Sequence, residues 1–556
     1  MALDRAVYKR LQEIVGERWV SEDPVHLETY RCASVQTASH YGPYDNRTPV
    51  PQAVVLPSTT EEVQQIVRLC NEYKIGFKAS TTFWAAAGYV GDDNSIQLDM
   101  RRMNKWEIDP RNQIAVMEPY AIAAQIQAEA MKHGLTCAIT GAGCSTSILA
   151  STAGWNGGGP STISMGNNHD NLLGAEWVLA NGEIVRLGSL GSGSGWFSGE
   201  GPLFSARAIL RGAQGMGGDM GVCTRIATKL SPWPGPDHLP TYGDAPAYKA
   251  DLPDNFRAYT ICFPSWDAWA RGYTAFYDNE IIYLGHRQFN MFGRDLKAAM
   301  IKIITNSEAQ LADLNTLLED PETQRQNADM KIDTQIVIVG MTERDLAWKE
   351  AALDEILADV GAHKSEMMLT KEMVDYTLAY LIRMGHKNLN YVYAGSYEGN
   401  MAWSSNVFVD AEWMETVVAL KKKWEDEHDY FARVGGDSGL GSMTRAGGGG
   451  STGFEFFIHY DGSDLHSVQG TRKYMDYTPI WMKEHGFGQD LGRVNDTARR
   501  EDGYSYTQEE HNKLFYGTPA AHLMKYQWKM RELMNPNHLG GTYYRTLDPD
   551  YRPDAE

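Results

Sequence analysis

Between Gly141 and Gly166 the chain reads GAGCSTSILASTAGWNGGGPSTISMG, a run of mostly small residues with a single tryptophan. Such a stretch has little apolar surface with which to build a core of its own. It can, however, bring backbone N–H groups close to a ligand, because few side chains intervene. A flexible surface loop is the alternative reading. The sequence that follows opposes it: Trp177 to Ala180 and Ile184 to Leu187 bracket Asn181-Gly182, a hairpin turn signal. A glycine-rich passage set inside strand-rich sequence reads as a ligand wall.

The surrounding pattern, from about residue 50 to 235, alternates short strands with helices. Ala53 to Leu56 is a short apolar run ending at Pro57, and Thr59 and Glu62 then stand at capping-box spacing. Val63, Ile66, Val67 and Cys70 follow at i, i+3, i+4 and i+7, one face of a helix. Gly76 to Ala79 is extended. Ser95 to Met100 alternates polar and apolar residues, which predicts a half-buried strand. Another strand is expected at Ala115 to Glu118, and a helix from Ala121 to His133 closes at Gly134, a good C-cap residue. Beyond about 240 the helical stretches lengthen. Ile336 to Gly340 and Phe454 to Ile458 are the best strands there, and Glu412 to His428 reads as a charged helix. A helix through Met524–Met534 stops at Asn535-Pro536. The fold class is α+β.

Length and charge exclude several classes. The chain has 556 residues, enough for two to four domains, and 51 basic against 71 acidic residues give a net charge of −20. That balance disfavours a nucleic-acid surface, which needs clustered Lys and Arg. No run approaches the length of a membrane span. The first residues read as an amphipathic charged helix without a signal peptide's apolar core. Six cysteines, with no C-x-x-C pair among them, are expected to be buried thiols of a cytoplasmic protein.

Most chemistry-bearing motifs fail on context. Gly448, Gly450 and Gly453 match G-x-G-x-x-G but precede a strand instead of opening a helix, so the dinucleotide-binding mechanism is not available there. No Walker A sequence occurs. Gly436-Asp437-Ser438-Gly439 has no accompanying histidine segment of a serine protease. His459, His466 and His485 stand near Asp461, Asp464 and Glu484, but a polar strand end and turn explains them as well, and no metal is assigned. His459 ends an apolar strand and stays a candidate base or substrate contact.

Four segments then occur in a fixed order: VVLPSTTEEVQQIVRLCNEYKIGFKAS, SIQLDMRRMNKWEIDPRNQIAVMEPYAIAAQIQ, GNNHDNLLGAEWVLANGEIVRLG and GMGGDMGVCTRIATKLSPWPG. As an ordered set they resemble the FAD-binding domain of the vanillyl-alcohol oxidase / p-cresol methylhydroxylase superfamily. The resemblance implies a two-subdomain FAD-binding domain at 1–238 and an α+β substrate-binding cap domain at 239–500. It also implies a segment, 501–556, that returns to the first domain. It places Ser80, Thr81, Thr82, Phe83 and Trp84 in the family's pyrophosphate loop. Gly141, Ser145, Ser147, Ile148, Ala150, Ser151 and Gly154 fall on the second flavin wall, and Gly221 and Val222 on the strand that meets the adenine.

The departures from the family matter. Thr82, Trp84 and Ala85 stand where glycines are usual, and Phe83 stands where the phenol-oxidising branch has a tyrosine. No carboxylate occupies the position of Ala142. No His or Cys lies in residues 76–100, so flavin attachment through this loop is excluded and FAD is expected to be held non-covalently. Glu484-His485-Gly486 is similar to one element of the hydroxy-acid branch. Tyr504 and Tyr506, with Arg499 or Arg500, are candidates to hold a phenol or assist its deprotonation.

The implied function is oxidation of an alcohol-type substrate, aromatic or bulky, by hydride transfer to the flavin. A 2-hydroxy-acid dehydrogenase of the glycolate or D-lactate kind is the alternative, and a non-catalytic flavin-carrying subunit of a redox complex is a third. With no haem or iron–sulfur cysteine spacing, electrons would pass to oxygen or to a separate electron-transfer protein.

Overall fold

The computed structural model describes residues 3–31, 48–83, 88–141, 143–154, 157–199, 220–243, 248–287, 297–305, 313–383, 396–403, 407–427, 439–444, 451–460, 464–485, 529 and 532–541. Strands β1 (Val20–Ser21), β2 (Val54–Val55), β3 (Gly76–Ser80) and β4 (Ser95–Asp99) form a sheet in the order β1-β2-β4-β3. Strands β2 and β3 run parallel to β4, as a strand–helix–strand crossover requires.

The crossover helix, Thr60–Tyr73, starts where the sequence places it. The Thr59 hydroxyl accepts from the Glu62 N–H at 3.1 Å. The Glu62 carboxylate reaches back to the Ser58 N–H at 2.7 Å, one residue earlier than a strict capping box. Its face of Val63, Ile66, Val67 and Cys70 is buried, and it packs with Leu11 of the helix Arg5–Val15 and with Val55, Ile96 and Leu98.

Strand β4 corrects an expectation. The alternation predicted a half-buried strand, yet Ser95, Gln97 and Asp99 are as buried as Ile96 and Leu98. It is an interior strand of its sheet, with a helix over its apolar side and the chain after β3 over its polar side. Gln97 Nε2 donates to the carbonyls of Lys78 and Gly88, and Asp99 accepts from the Tyr30 hydroxyl at 2.7 Å. Buried polar groups persist there because they are hydrogen-bonded.

A second sheet is antiparallel, built from β5 (Trp106–Asp109), β6 (Ile114–Met117), β8 (Leu172–Leu179), β9 (Ile184–Gly188) and β10 (Gly221–Lys229) in the order β5-β6-β10-β8-β9. Short β7 (Leu135–Thr136) pairs with β11 (Ser231–Pro232). The β8–β9 hairpin turns at Asn181-Gly182, where Gly182 has φ +86°.

The later chain forms β12 (Phe256–Cys262), β13 (Leu284–His286), β14 (Asp333–Val339) and β15 (His363–Lys364), ordered β13-β14-β12-β15. A three-stranded sheet follows, with β16 (Ser396–Trp403), β17 (Gly439–Thr444) and β18 (Ser451–Tyr460) in the order β16-β18-β17. The period-two alternation of β14 divides two cores. Ile336 and Ile338 pack among the helices Trp266–Asp278, Glu343–Val360 and Val407–Glu427. Val337 and Val339 join Leu284, Tyr380 of the helix Lys371–Arg383, and Ile139 and Ile148 of the earlier chain. The later part and the first part therefore share one hydrophobic core. The helix expected from Glu412 in fact begins at Val407.

Residues 535–541 pack against the first sheet. The Phe77 N–H donates to the Leu539 carbonyl at 2.9 Å, and Asn535, fully buried, accepts from the Leu539 N–H with its side chain. Cys70, Cys137, Cys144, Cys223 and Cys262 are free thiols. Among the described residues no helix is long and apolar enough to cross a membrane.

Candidate functional site

The chain leaving β3 forms the first half of the site. Thr81 is nearly buried, whereas Ser80, Thr82 and Phe83 are half-buried. Phe83 has φ +51°, left-handed backbone that costs a non-glycine residue about 1–3 kcal/mol and persists only where surroundings enforce it. Its ring lies edge-on to Tyr30 at 5.3 Å and tilted against Tyr89 at 5.1 Å. Phe83 thus anchors this segment over the Tyr30–Asp99 pair. Trp84 lies outside the described residues.

The glycine-rich run is the second half. Ser147 is buried, donates to the Pro119 carbonyl at 2.6 Å and accepts from the Ala150 N–H at 3.0 Å. Ala150–Gly154 wind as one π-type turn, a wide turn often found at functional sites. Ser151 Oγ donates to the Ile148 carbonyl and accepts from Asn168 Nδ2 at 2.8 Å. The Gly141 N–H donates to Gly158 at 2.7 Å, which lays two glycine segments side by side. A Cβ at Gly159 would stand 2.1 Å from the Ile139 carbonyl oxygen, so only glycine permits the approach. Ile148 is buried, Gly141, Ala150 and Gly154 are half-buried, and Ser145 is exposed. Gly221, at φ +117°, opens β10 hard against the Val178 carbonyl, and Val222 is buried in the cluster that the helix Thr60–Tyr73 forms with the first sheet.

Two hydroxyls of this wall have no partner among the described residues, Thr152 Oγ1 and Ser161 Oγ, although Thr152 is only 1% exposed and Ser161 5%. Buried polar atoms are nearly always satisfied, so orphaned hydroxyls beside closely packed glycines fit a wall built against a polar group. On that observation the residues present fit FAD.

The later chain docks onto this wall directly. The Gly285 N–H donates to the Pro160 carbonyl at 2.8 Å, and Ser164 Oγ donates to the Tyr283 carbonyl at 2.7 Å. A small cavity at the seam is lined by Gln127, Ile139, Ser161, Met165, Tyr283 and Leu284. On the same face of the β13-β14-β12-β15 sheet as Leu284 stand His286 and Gln335, paired across β13 and β14. Gln335 Nε2 donates to Thr377 Oγ1 at 3.3 Å, and the His286 ring is 6.2 Å from that of Tyr380. All four side chains are buried. Sequence reasoning missed this group, because it joins residues far apart in the chain. The one available hint was Gln335, which stands with Asp333 and Thr334 just before the apolar run Ile336–Val339.

Of the catalytic candidates chosen from sequence, His459 alone falls among the described residues. His459 lies on β18 opposite Tyr397 of β16. Tyr504, Tyr506, Arg499 and Arg500 lie outside the described residues. His485 stacks on Trp481 of its own helix at 4.3 Å, with Nδ1 2.8 Å from the Trp481 carbonyl oxygen.

A family model described as FAD binding domain matches residues 51–188, which contain both halves of the wall. Residues 51–188 are an FAD-binding domain. The remainder agrees in fold: p-cresol methylhydroxylase with substrate bound superimposes with a TM-score of 0.68 at 16% identity, covering 96% of this chain and 95% of that one. The likeness in fold to p-cresol methylhydroxylase therefore extends across both parts of the chain. In sequence, the chain is 28% identical to a D-lactate dehydrogenase of Archaeoglobus fulgidus over 182 residues, 32% of this chain and 38% of that protein. It is 28% identical to the 4-cresol dehydrogenase [hydroxylating] flavoprotein subunit of Pseudomonas putida over 205 residues, 34% of this chain and 37% of that protein. These alignments span well under half of the relatives' length. The FAD-binding domain is thus common ground between relatives named for a hydroxy acid and for a phenol.

Proposed function

We propose that this protein is an FAD-dependent oxidoreductase that oxidises an alcohol-type substrate held between the flavin wall and the cap. The observation that carries the reading is the direct docking of β13 onto the wall at Pro160 and Ser164, which brings the buried polar face of the cap to the FAD-binding domain. In this reading residues 1–238 bind FAD, 239–500 form the cap and 501–556 return to the first domain.

Bound FAD would supply a two-electron acceptor for hydride. The chain's own contribution is to bind and orient. Ser80, Thr81 and Thr82 offer hydroxyls and backbone N–H groups to a diphosphate, with Phe83 and Trp84 in the same loop. Gly141, Ser147, Ile148, Ala150, Ser151 and Gly154, with Ser145 at the rim, form the second wall. Gly221 and Val222 lie toward the adenine. His286, Gln335 and Tyr380 join His459, Tyr504, Tyr506 and Arg500 as candidates to position the substrate and take its proton.

An aromatic or bulky alcohol is the first substrate choice, supported by the aromatic residues Tyr376 and Tyr380 on the helix beside His286. The likeness to a D-lactate dehydrogenase favours a 2-hydroxy acid as the second. Electrons would leave to oxygen or to a separate electron-transfer protein, and the relative named as a flavoprotein subunit supports the latter.

The test is an anaerobic screen of aromatic alcohols, phenols and D-2-hydroxy acids against purified holoprotein, following bleaching of the flavin. Bleaching with matching carbonyl product supports the reading and selects the class. Protein purified without flavin would overturn it, as would flavin that none of these substrates reduces.

A further inference from the structure

Away from the flavin wall, three side chains of metal-ligating chemistry meet at the far edge of the cap sheet. Cys262 ends β12, and His363 stands directly opposite it on β15, so both side chains leave the sheet on one face. Asp329 is the last residue of the helix Pro321–Asp329. One ligand atom from each, a sulfur, an imidazole nitrogen and a carboxylate oxygen, lies within 4.8 Å of the others. His363 Nε2 is 3.0 Å from Asp329 Oδ1 and 3.1 Å from its Oδ2.

The surroundings suit a cation. Asp329 puts a negative charge at a helix C-terminus, where the carbonyl ends already make the potential negative. That placement is unfavourable unless positive charge offsets it. Cys262 is 1% exposed, while the Asp329 and His363 side chains are 36% and 54% exposed. The sulfur thus forms the floor, and the rim leaves a path for an ion and room for water as a further ligand. Thiolate, imidazole and carboxylate together select a borderline-soft ion such as Zn²⁺ over Ca²⁺ or Mg²⁺, which take oxygen ligands.

We propose that Cys262, Asp329 and His363 form a zinc-type divalent metal site that fastens the edge strand β15 to β12 and to the helix Pro321–Asp329. On binding, the Cys262 thiol loses its proton to solvent as the Zn–S bond forms, and His363 coordinates as neutral imidazole through Nε2. No electron is transferred. The role is structural: the ion would tie β15, which pairs with β12 through Ile261–Lys364 and Cys262–His363, to the helix Pro321–Asp329 as well. The spacing 262, 329, 363 carries no sequence signature, since a strand end, a helix end and an edge strand supply one ligand each.

The test uses full-length holoprotein stripped with a chelator and dialysed against Zn²⁺. The expected result is one zinc per chain, with X-ray absorption showing one sulfur at ~2.3 Å and lighter ligands at ~2.0–2.2 Å. Cys262→Ser should abolish the sulfur shell. His363→Ala, a change at a half-exposed position, should weaken zinc binding at least tenfold with flavin content unchanged. Sub-stoichiometric zinc, zinc without a sulfur ligand, or unaltered binding by His363→Ala would each overturn the proposal and leave only a His–Asp ion pair above a buried thiol. Flavin content and substrate bleaching report separately on the flavin reading, so either conclusion can fail without the other.

Discussion

Tyr30 donates a 2.7 Å hydrogen bond to the fully buried carboxylate of Asp99, and its ring meets that of Phe83 edge-on at 5.3 Å. Burial, and then the Asp99 carboxylate, push the Tyr30 phenol well above its ordinary range, so it remains a neutral donor at working pH. Asp99 is also paired with Arg101 at 2.6 Å. Together these contacts support the chain that leaves β3 toward the proposed diphosphate. Tyr30→Phe removes one donor and leaves the ion pair, and should cost about 1–2 kcal/mol. Urea unfolding checks the stability. Retention of FAD through gel filtration checks the link to the loop, and undiminished retention would detach Tyr30 from the cofactor.

Gly159 is the point of closest approach in the wall. Gly159→Ala forces a Cβ onto the Ile139 carbonyl and should destabilise by about 1–3 kcal/mol through backbone displacement. Because the displaced segment carries Ser161, the flavin-to-protein ratio should fall with it. A variant that keeps full flavin content would show that this wall does not face the cofactor.

Substitution of His286 tests handling of substrate apart from binding of cofactor. His286→Ala should lower kcat/KM by on the order of 10²-fold for any substrate that bleaches the flavin, with FAD content unchanged. Stopped-flow reduction under anaerobic conditions reads the step directly. Unchanged reduction kinetics would remove the buried polar face of the cap from the substrate surface.

Cys137 gives a pH dependence with a defined sign. Burial pushes its thiol from 9.0 up to about 12. The folded state holds this proton to higher pH than the unfolded state does, so the stabilisation is complete below about pH 9 and is lost as pH climbs toward 12. Cys137→Ala should flatten the decline of stability across that window. Denaturant midpoints from pH 8 upward provide the check, and identical slopes for the two proteins would exclude Cys137 as a contributor.

How much of this was legible in the sequence depended on the range of the interaction. The helix Thr60–Tyr73 was readable because Thr59, Glu62 and the face of Val63, Ile66, Val67 and Cys70 act within a few residues. The β8–β9 turn was readable because Asn181-Gly182 specifies it locally. Strand β4 was misjudged because its alternation says which side chains share a face, not whether a neighbouring segment covers that face. The catalytic candidates chosen from sequence came from neighbouring positions in single segments, whereas the buried group of His286, Gln335, Thr377 and Tyr380 joins residues far apart in the chain.

The Gly141–Gly166 run by itself predicted backbone set close to a ligand, and the ordered segments around it pointed to the FAD-binding domain whose family model matches residues 51–188. Tertiary structure decided the rest. It chose Gly159 as the contact with Ile139, left the Thr152 and Ser161 hydroxyls without a partner among the described residues, and docked β13 and Tyr283 onto Pro160 and Ser164. It also brought Cys262, Asp329 and His363 to one edge of the sheet. Caps, turns and periodicities are local preferences that a sequence carries in plain order. A site made of distant residues depends on how whole strands register and pack, and that is settled only when the chain closes on itself.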